Sequence, residues 1–236
     1  MQNPHRPIYG IFGGSFNPVH QGHLDVVHGI LSAGIIDHLF VIPANRSPFK
    51  DDPGFLPAGL RLAMIRRAMD GIGRVSVLDM EIRRSEPSYS LDTLSVLAST
   101  YPAARLKLIM GLDAFQGFPA WFGAAAILER ADLIVIDRQS GRHALPEDPS
   151  AWMRYLPPEW GGRVKPHPPD RLITTDGRVV VERIVLSTTS ISSTQIREQH
   201  RWEYIPAEAR AILASYRAQA DCRRPHGVNH RSDGQA

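Results

Sequence analysis

The run Ile8-Tyr9-Gly10-Ile11-Phe12 is apolar, breaks at Gly13-Gly14, turns at Asn17-Pro18 and resumes near Gly22 as an amphipathic helix with Leu24, Val27, Ile30 and Leu31 on one face. No other stretch constrains the fold as tightly. A buried strand that passes through a glycine-rich turn into a helix is the opening of a βαβ unit. It leaves backbone N–H groups unpaired at the helix start, where an anion can be held. His20 and His23 sit at that start.

The pattern repeats downstream. His38 to Pro43 is a second apolar strand, and the proline-rich stretch Ala44 to Pro57 is a long loop of the kind that often carries function. The Leu60, Met64, Ile65, Ala68 spacing predicts a helix over Gly59 to Met69, and Arg74 to Leu78 is a third strand. A charged loop, Asp79 to Ser88, precedes a helix from Ser90 to Thr100. Arg105 to Met110 and Ala131 to Ile136 are strands four and five, separated by a helix expected over Trp121 to Arg130. Strands alternating with helices of this length indicate an α/β fold: a doubly wound parallel sheet with right-handed crossovers. Residues 139–175, rich in Pro, Gly and Trp, read as an irregular insertion with one short helix near Ser150 to Leu156. Arg171 to Leu186 resembles a hairpin turning at Asp176-Gly177, whose second half supplies a sixth strand. Helices at Thr194 to His200 and Ala207 to Arg217 follow. Residues 1–220 are thus expected to form one domain, and the polar tail 221–236 to be disordered.

Composition narrows the function by exclusion. No apolar run approaches the ~20 residues of a membrane span, and the N-terminus lacks the apolar core of a signal peptide. The single cysteine, Cys222, lies in the tail, so no disulfide framework or thiolate metal site is expected, and a cytoplasmic location follows as the default. A net charge of +3, part of it in the tail, is no nucleic-acid footprint. Neither membrane nor nucleic acid is an expected partner.

Ligands of an open parallel sheet bind beyond the carboxyl ends of its strands. The residues expected there are Gly13 to His23, Asn45 to Lys50, Gly111 to Asp113, Arg138, and Ser187 to Arg197. They bring glycines, hydroxyls, two imidazoles, asparagines and cations. They bring no carboxylate pair, no nucleophile elbow and no Cys–His pair. Donors and cations without a nucleophile suit phosphoryl or nucleotidyl transfer, in which the protein positions the reactants and neutralises charge. Individually the signals are weak. A Gly-Gly pair after a strand is more often a plain turn. A His-x-x-His pair is commonly structural, and no third metal ligand is evident. A hydroxyl run before a helix is an ordinary cap with a surface arginine. Two such helix starts at one sheet edge nonetheless suit a polyphosphate gripped from both ends.

Gly13-Gly14-Ser15-Phe16-Asn17-Pro18-Val19-His20-Gln21-Gly22-His23 resembles the G-G-x-F-[DN]-P-x-H-x-G-H signature of the HxGH nucleotidyltransferases, and Ile191-Ser192-Ser193-Thr194-Gln195-Ile196-Arg197 resembles their I-S-S-T-x-I-R motif. Three intermediate stretches resemble bacterial nicotinate-nucleotide adenylyltransferases in particular. They are Ile42 to Asn45 with Ser47 to Lys50, then Pro87 to Leu94, then Met110 to Asp113 with Trp121. The resemblance spans Ile8 to Tyr216. It implies a Rossmann-like nucleotidyltransferase fold and the reaction of ATP with nicotinate mononucleotide to give nicotinate adenine dinucleotide and pyrophosphate, a step of NAD biosynthesis, with Mg²⁺ on the ATP. It implies catalytic roles for His20, His23 and Arg197. It implies ATP contacts from Gly13, Gly14, Ser15, Phe16, Gly111, Asp113, Ser192, Ser193 and Thr194. Asn45, Lys50 and Arg138 would meet the mononucleotide phosphate, Trp121 would stack on the pyridine ring, and Tyr89 with Ser90 would lie near its carboxylate. No metal ligands are implied.

Two stretches depart from the family pattern. Ser47-Pro48-Phe49-Lys50 replaces the usual P-P-H-[KR], and Ser90 stands where threonine is commoner. An amide-substrate or dual-specificity enzyme therefore stays open as an alternative. So do phosphopantetheine adenylyltransferase, which shares the two signature motifs, and, from another class, a non-catalytic nucleotide sensor. The insertion and the tail are extra surface segments or, on a sharper reading, a homo-oligomer contact or a regulatory element.

Overall fold

The computed structural model describes residues 6–45, 54–84, 87–138 and 144–222. Five parallel strands form the first part of one sheet: β1 (Ile8–Gly14), β2 (His38–Pro43), β3 (Val75–Val77), β4 (Arg105–Gly111) and β5 (Ala131–Arg138). Between them run α1 (Gln21–Ser32), α2 (Ala58–Met69), α3 (Ser90–Thr100), the short α4 (Leu112–Gln116) and α5 (Ala124–Arg130). Strands β6 (Val164–His167), β7 (Arg171–Thr174) and β8 (Val179–Leu186) complete the sheet, followed by α6 (Ser193–Glu198) and α7 (Ala207–Cys222). The strand order is β3-β2-β1-β4-β5-β8-β7-β6. All pairings are parallel from β3 to β8, and those of β6 with β7 and β7 with β8 are antiparallel.

Side chains alternate across this sheet with the period of two that a pleated strand imposes. Phe40 and Ile42 of β2 enter one core with Leu94 and Leu97 of α3 and Ile127 and Leu128 of α5. Leu39 and Val41 enter the other, with Val27 and Ile30 of α1, Met64 and Ile65 of α2, and Leu213 of α7. Helices cover both faces, so the sheet is doubly wound. The order reverses between β1 and β4, and the crevice of such a sheet opens at that reversal.

In its described part, the insertion read as irregular over 139–175 carries the short helix expected near Ser150 to Leu156 and packs into the first core. Pro149–Tyr155 and Pro158–Trp160 form 3₁₀ turns, and Trp152 and Trp160 are buried in the first core. Their indole N–H groups donate to the carbonyls of Pro146 and Ala125. Pro166 makes Val164–His167 unreadable as a strand, yet β6 lies at the sheet edge, where a missing N–H costs little. The hairpin turning at Asp176-Gly177 is present as β7 and β8, with Gly177 at φ +87°.

Two further expectations need correction. The helix expected from Trp121 begins at Ala124, because Gly123 enters it at φ +66° and a 3₁₀ turn at Phe118–Ala120 precedes it. The last helix runs to Cys222, so the first two residues of the expected tail belong to it; the remainder lies outside the described residues. No helix among the described residues is long and apolar enough to cross a membrane.

Candidate active site

A cavity of about 330 Å³ opens at the β1–β4 switch point. Its walls are the turn Phe12 to Ser15, the end of β4 from Leu108 to Gly111, Ala44 after β2, Ser88 to Ser90 before α3, and Trp121 with Phe122. The crevice thus holds Gly13, Gly14, Ser15, Gly111, Tyr89, Ser90 and Trp121 of the residues singled out in the sequence. It also receives Glu81, which they did not include.

The glycine-rich turn is built tightly. Phe16 is buried at φ +44°, a left-handed conformation that a bulky residue holds only when its surroundings enforce it. Its ring covers Gly14, where a Cβ would stand 3.2 Å from it. Gly13 differs, since a Cβ there would meet no protein atom within 4 Å. Packing therefore gives no reason for Gly13, which lies open to the cavity.

The histidine pair follows. Nδ1 of His23 accepts the His20 backbone N–H at 3.2 Å, which fixes the ring of His23 and leaves its Nε2 to carry the proton of the neutral form. The two rings lie 3.8 Å apart, and Phe16 packs 4.8 Å from His23. His20 is 3% exposed. Burial, reinforced by the Arg138 guanidinium and opposed by Asp25, lowers its pKa to about 4. His20 is therefore a neutral imidazole at physiological pH, able to donate a hydrogen bond but not to serve as a cation. Its Nδ1 is buried without a hydrogen-bond partner.

The second motif clamps onto the first. Arg197 donates from Nη1 to the Asn17 carbonyl at 2.6 Å, and Ser193 from its hydroxyl to the Pro18 carbonyl at 2.9 Å. The Thr189 N–H donates to Asp25 on α1 at 2.7 Å. Gly22, between the histidines, permits this contact, since a Cβ there would stand 3.0 Å from the Thr189 carbonyl and 3.2 Å from the His20 ring. Ser192 caps α6 through its hydroxyl, which accepts the Gln195 N–H at 3.2 Å. Thr194 remains exposed in the first turn of α6.

The remaining expected residues are spread around the crevice. Asp113 is exposed on α4 and Arg138 is exposed at the end of β5, near enough to influence His20. Asn45 is tied back, with Nδ2 donating to the Arg84 carbonyl at 2.6 Å. Lys50 lies outside the described residues.

Arg61 is the main structural residue that the sequence reading passed over. It is fully buried, and burial lowers its pKa to about 10. Its guanidinium donates to the carbonyls of Leu56 at 3.1 Å, Ser15 at 2.6 Å and Asn45 at 3.0 Å. One side chain therefore joins the loops after β1 and β2. The signal was present: Arg61 shares the i, i+3, i+4, i+7 stripe of α2 with Met64, Ile65 and Ala68, a charge on a core face.

Comparison with known proteins agrees with this layout. The model of the family described as cytidylyltransferase-like matches residues 11–199. A protein named "Probable nicotinate-nucleotide adenylyltransferase" from Maridesulfovibrio salexigens is 37% identical over 134 residues, 57% of this chain and 62% of that protein. One of the same name from Pseudomonas paraeruginosa is 39% identical over 139 residues, 58% of this chain and 64% of that protein. The chain thus matches these relatives over less than two thirds of their length. The nicotinic acid mononucleotide adenylyltransferase of Plasmodium falciparum, solved in complex with NaAD, superposes with a TM-score of 0.67 over 89% of this chain and 96% of that one. At 16% identity the likeness is one of fold.

Proposed function

The chain belongs to the cytidylyltransferase-like family, and from that premise we propose that it transfers the adenylyl group of ATP to the phosphate of nicotinate mononucleotide. The observation that carries the reading is the switch-point cavity, which has the glycine-rich turn on one wall and Tyr89, Ser90 and Trp121 on another. One side suits a phosphate chain and the other a flat ring, and the space between them suits the bond that joins the two. Relatives at 37% and 39% identity carry the corresponding name.

A phosphate oxygen of the mononucleotide attacks the α-phosphorus of ATP. The new P–O bond forms as the bond to the β-phosphate oxygen breaks, and pyrophosphate leaves. The attacking phosphate is already anionic, so no general base is required. Gly13, Gly14 and Ser15 present the turn to the phosphates, with Phe16 beneath it. His20 and His23 donate to the charge that develops at the α-phosphorus, as preorganised donors do. Arg197, with Ser192, Ser193 and Thr194, faces the leaving pyrophosphate, and Gly111 and Asp113 border the adenosine. Asn45, Lys50 and Arg138 hold the acceptor phosphate, while Trp121, Tyr89 and Ser90 receive the pyridine ring and its carboxylate. Hydroxyl, N–H and cationic groups complement phosphate oxygens rather than a metal. Mg²⁺, which the resemblance implies, would be brought by ATP rather than held by these side chains, and would supply charge neutralisation on the polyphosphate.

The test is turnover. The protein is incubated with ATP, Mg²⁺ and either nicotinate mononucleotide, nicotinamide mononucleotide or phosphopantetheine, and pyrophosphate is followed. Fastest release with the nicotinate form is expected. Faster release with another acceptor would replace the substrate, and none with any acceptor would remove the enzymatic reading.

A further inference from the structure

A second cavity, of about 230 Å³, lies at the amino ends of β4 and β5, the end of the sheet opposite the candidate active site. Strand β4 runs seven residues from Arg105, on the wall of this cavity, to Gly111, on the wall of the other, which sets the two about 20 Å apart. Four arginines from four separate parts of the chain line it: Arg6 before β1, Arg105 opening β4, Arg130 closing α5 and Arg178 before β8. The transfer reaction uses none of them.

Two carboxylates share the wall, and both are already paired. Asp132, 5% exposed, takes Arg105 Nη2 at 2.9 Å and faces Arg178 Nε at 3.5 Å. Glu129 pairs at 2.6 Å with Arg163, which is not part of the lining. The other contacts of these arginines are with main-chain carbonyls. Arg6 donates from Nε to Ala103 at 2.9 Å and from Nη2 to Ala104 at 3.1 Å. Arg130 donates from Nη1 to Ala126 at 2.9 Å, and Arg178 from Nη2 to Leu128 at 2.8 Å. A carbonyl fixes a guanidinium in place without neutralising it. The wall therefore carries four positive charges against two negative ones, and one of the negative charges is balanced from outside. A cleft lined with an excess of one sign concentrates counter-ions.

We infer that this cavity is a binding site for a small phosphate-type oxyanion, inorganic phosphate or pyrophosphate. The planar fork of a guanidinium matches phosphate oxygens. Each of these side chains has five N–H donors, of which the bonds named use one or two. The volume falls below the roughly 300–1,000 Å³ of pockets that take drug-sized ligands, so an anion of one or two phosphoryl groups fits and a whole nucleotide does not. The site is independent of the proposed transfer reaction.

The experiment titrates the isotope-labelled full chain with inorganic phosphate, and separately with pyrophosphate, at an ionic strength held constant with sodium chloride. Amide signals of Leu106 and Asp132 report on this cavity, and those of Gly13 and Gly111 on the candidate active site. Leu106 and Asp132 shift saturably with at least one of the two anions, and the tighter one is the occupant. Arg6→Gln and Arg130→Gln each raise that midpoint about tenfold, as loss of a charge-assisted bond does, whereas Arg210→Gln, exposed on α7, leaves it within about twofold. The response of Gly13 and Gly111 is the same in all four proteins. Neither Arg6 nor Arg130 is a hydrogen-bond partner of buried Asp132, so both variants keep its bond to Arg105; should one fail to fold, the other carries the comparison. Shifts confined to Gly13 and Gly111, shifts reproduced by chloride alone, or a midpoint unchanged in both arginine variants would each overturn the inference. Absence of turnover with every acceptor would remove the enzyme reading and leave this result standing.

Discussion

Arg197 and Asn17 meet through a 2.6 Å hydrogen bond from guanidinium to backbone carbonyl, although 180 residues separate them in sequence. The contact joins the helix that follows β8 to the turn that follows β1. Either motif alone could be an ordinary cap or an ordinary turn. Joined, they seat the start of α6 against the turn that leads into His20 and His23.

On the proposed reading Arg197 faces the leaving pyrophosphate, and this contact adds a structural role that substitution can separate from it. Arg197→Lys keeps a positive charge but cannot reproduce the planar fork that holds the Asn17 carbonyl. Arg197→Ala removes both. We expect the alanine variant to lower kcat by about 10² or more, in the range for loss of a transition-state donor, and the lysine variant to fall between it and wild type. Equal loss in both would assign the effect to the fork rather than to the charge.

Gly13 and Gly22 predict opposite outcomes for the same substitution. At Gly22 the new methyl group meets a backbone carbonyl at 3.0 Å, so Gly22→Ala must push α1 from the Thr189 loop. A destabilisation of about 1–3 kcal/mol, as for overpacking elsewhere, should appear as a lower Tm. At Gly13 the methyl group meets nothing in the protein. Gly13→Ala should leave Tm unchanged and raise KM for ATP, because the group it obstructs is the ligand. An unchanged KM for ATP would mean that no phosphate approaches the turn there, and a fall in Tm that the protein itself occupies the space.

How much of this was legible follows from where the information sits. Strong periodicity placed β1, β2, β4 and β5 and the helices that cover them, and motif residues drew attention to Gly13, His20 and Arg197. The start of α5 was misplaced because the left-handed entry at Gly123 is a backbone conformation that Trp121-Phe122 does not announce. β6 was missed because an edge strand tolerates the proline that normally argues against one. Arg61 showed as a charge on the core stripe of α2, but its carbonyl partners, like the Thr93 hydroxyl that meets Glu81, are brought to it only once the sheet is assembled.

Removal of Arg61 should therefore be costly in a way its sequence neighbourhood does not suggest. Arg61→Met keeps an apolar stem but leaves the carbonyls of Leu56, Ser15 and Asn45 without this donor. Each lost bond to a charged donor is worth about 1.5–3 kcal/mol, and partial relaxation of the loops recovers some of it. A net loss of about 3 kcal/mol or more in denaturant unfolding is expected, with KM for both substrates raised because the loops after β1 and β2 both move. A loss below about 1 kcal/mol would mean that the loops are held by other contacts.

His20 sets a pH dependence whose sign can be worked out. Its imidazole titrates near 6.5 when exposed and at about 4 in the fold, so between these values the unfolded chain binds more protons than the native one. Stability then rises with pH across that window: the contribution is fully present above about 6.5 and is lost as pH falls toward 4. A shift of that size corresponds to about 3 kcal/mol. His20→Asn should flatten the stability profile between pH 6.5 and 4 relative to wild type, and the His20 ring proton should titrate in NMR with a midpoint near 4. Because the imidazole is neutral throughout the working range, His20 should itself introduce no fall in kcat near pH 6.5. A His20 midpoint near 6.5 would instead make it a cation below that pH, and the neutral donor proposed for the α-phosphorus would have to be His23 alone.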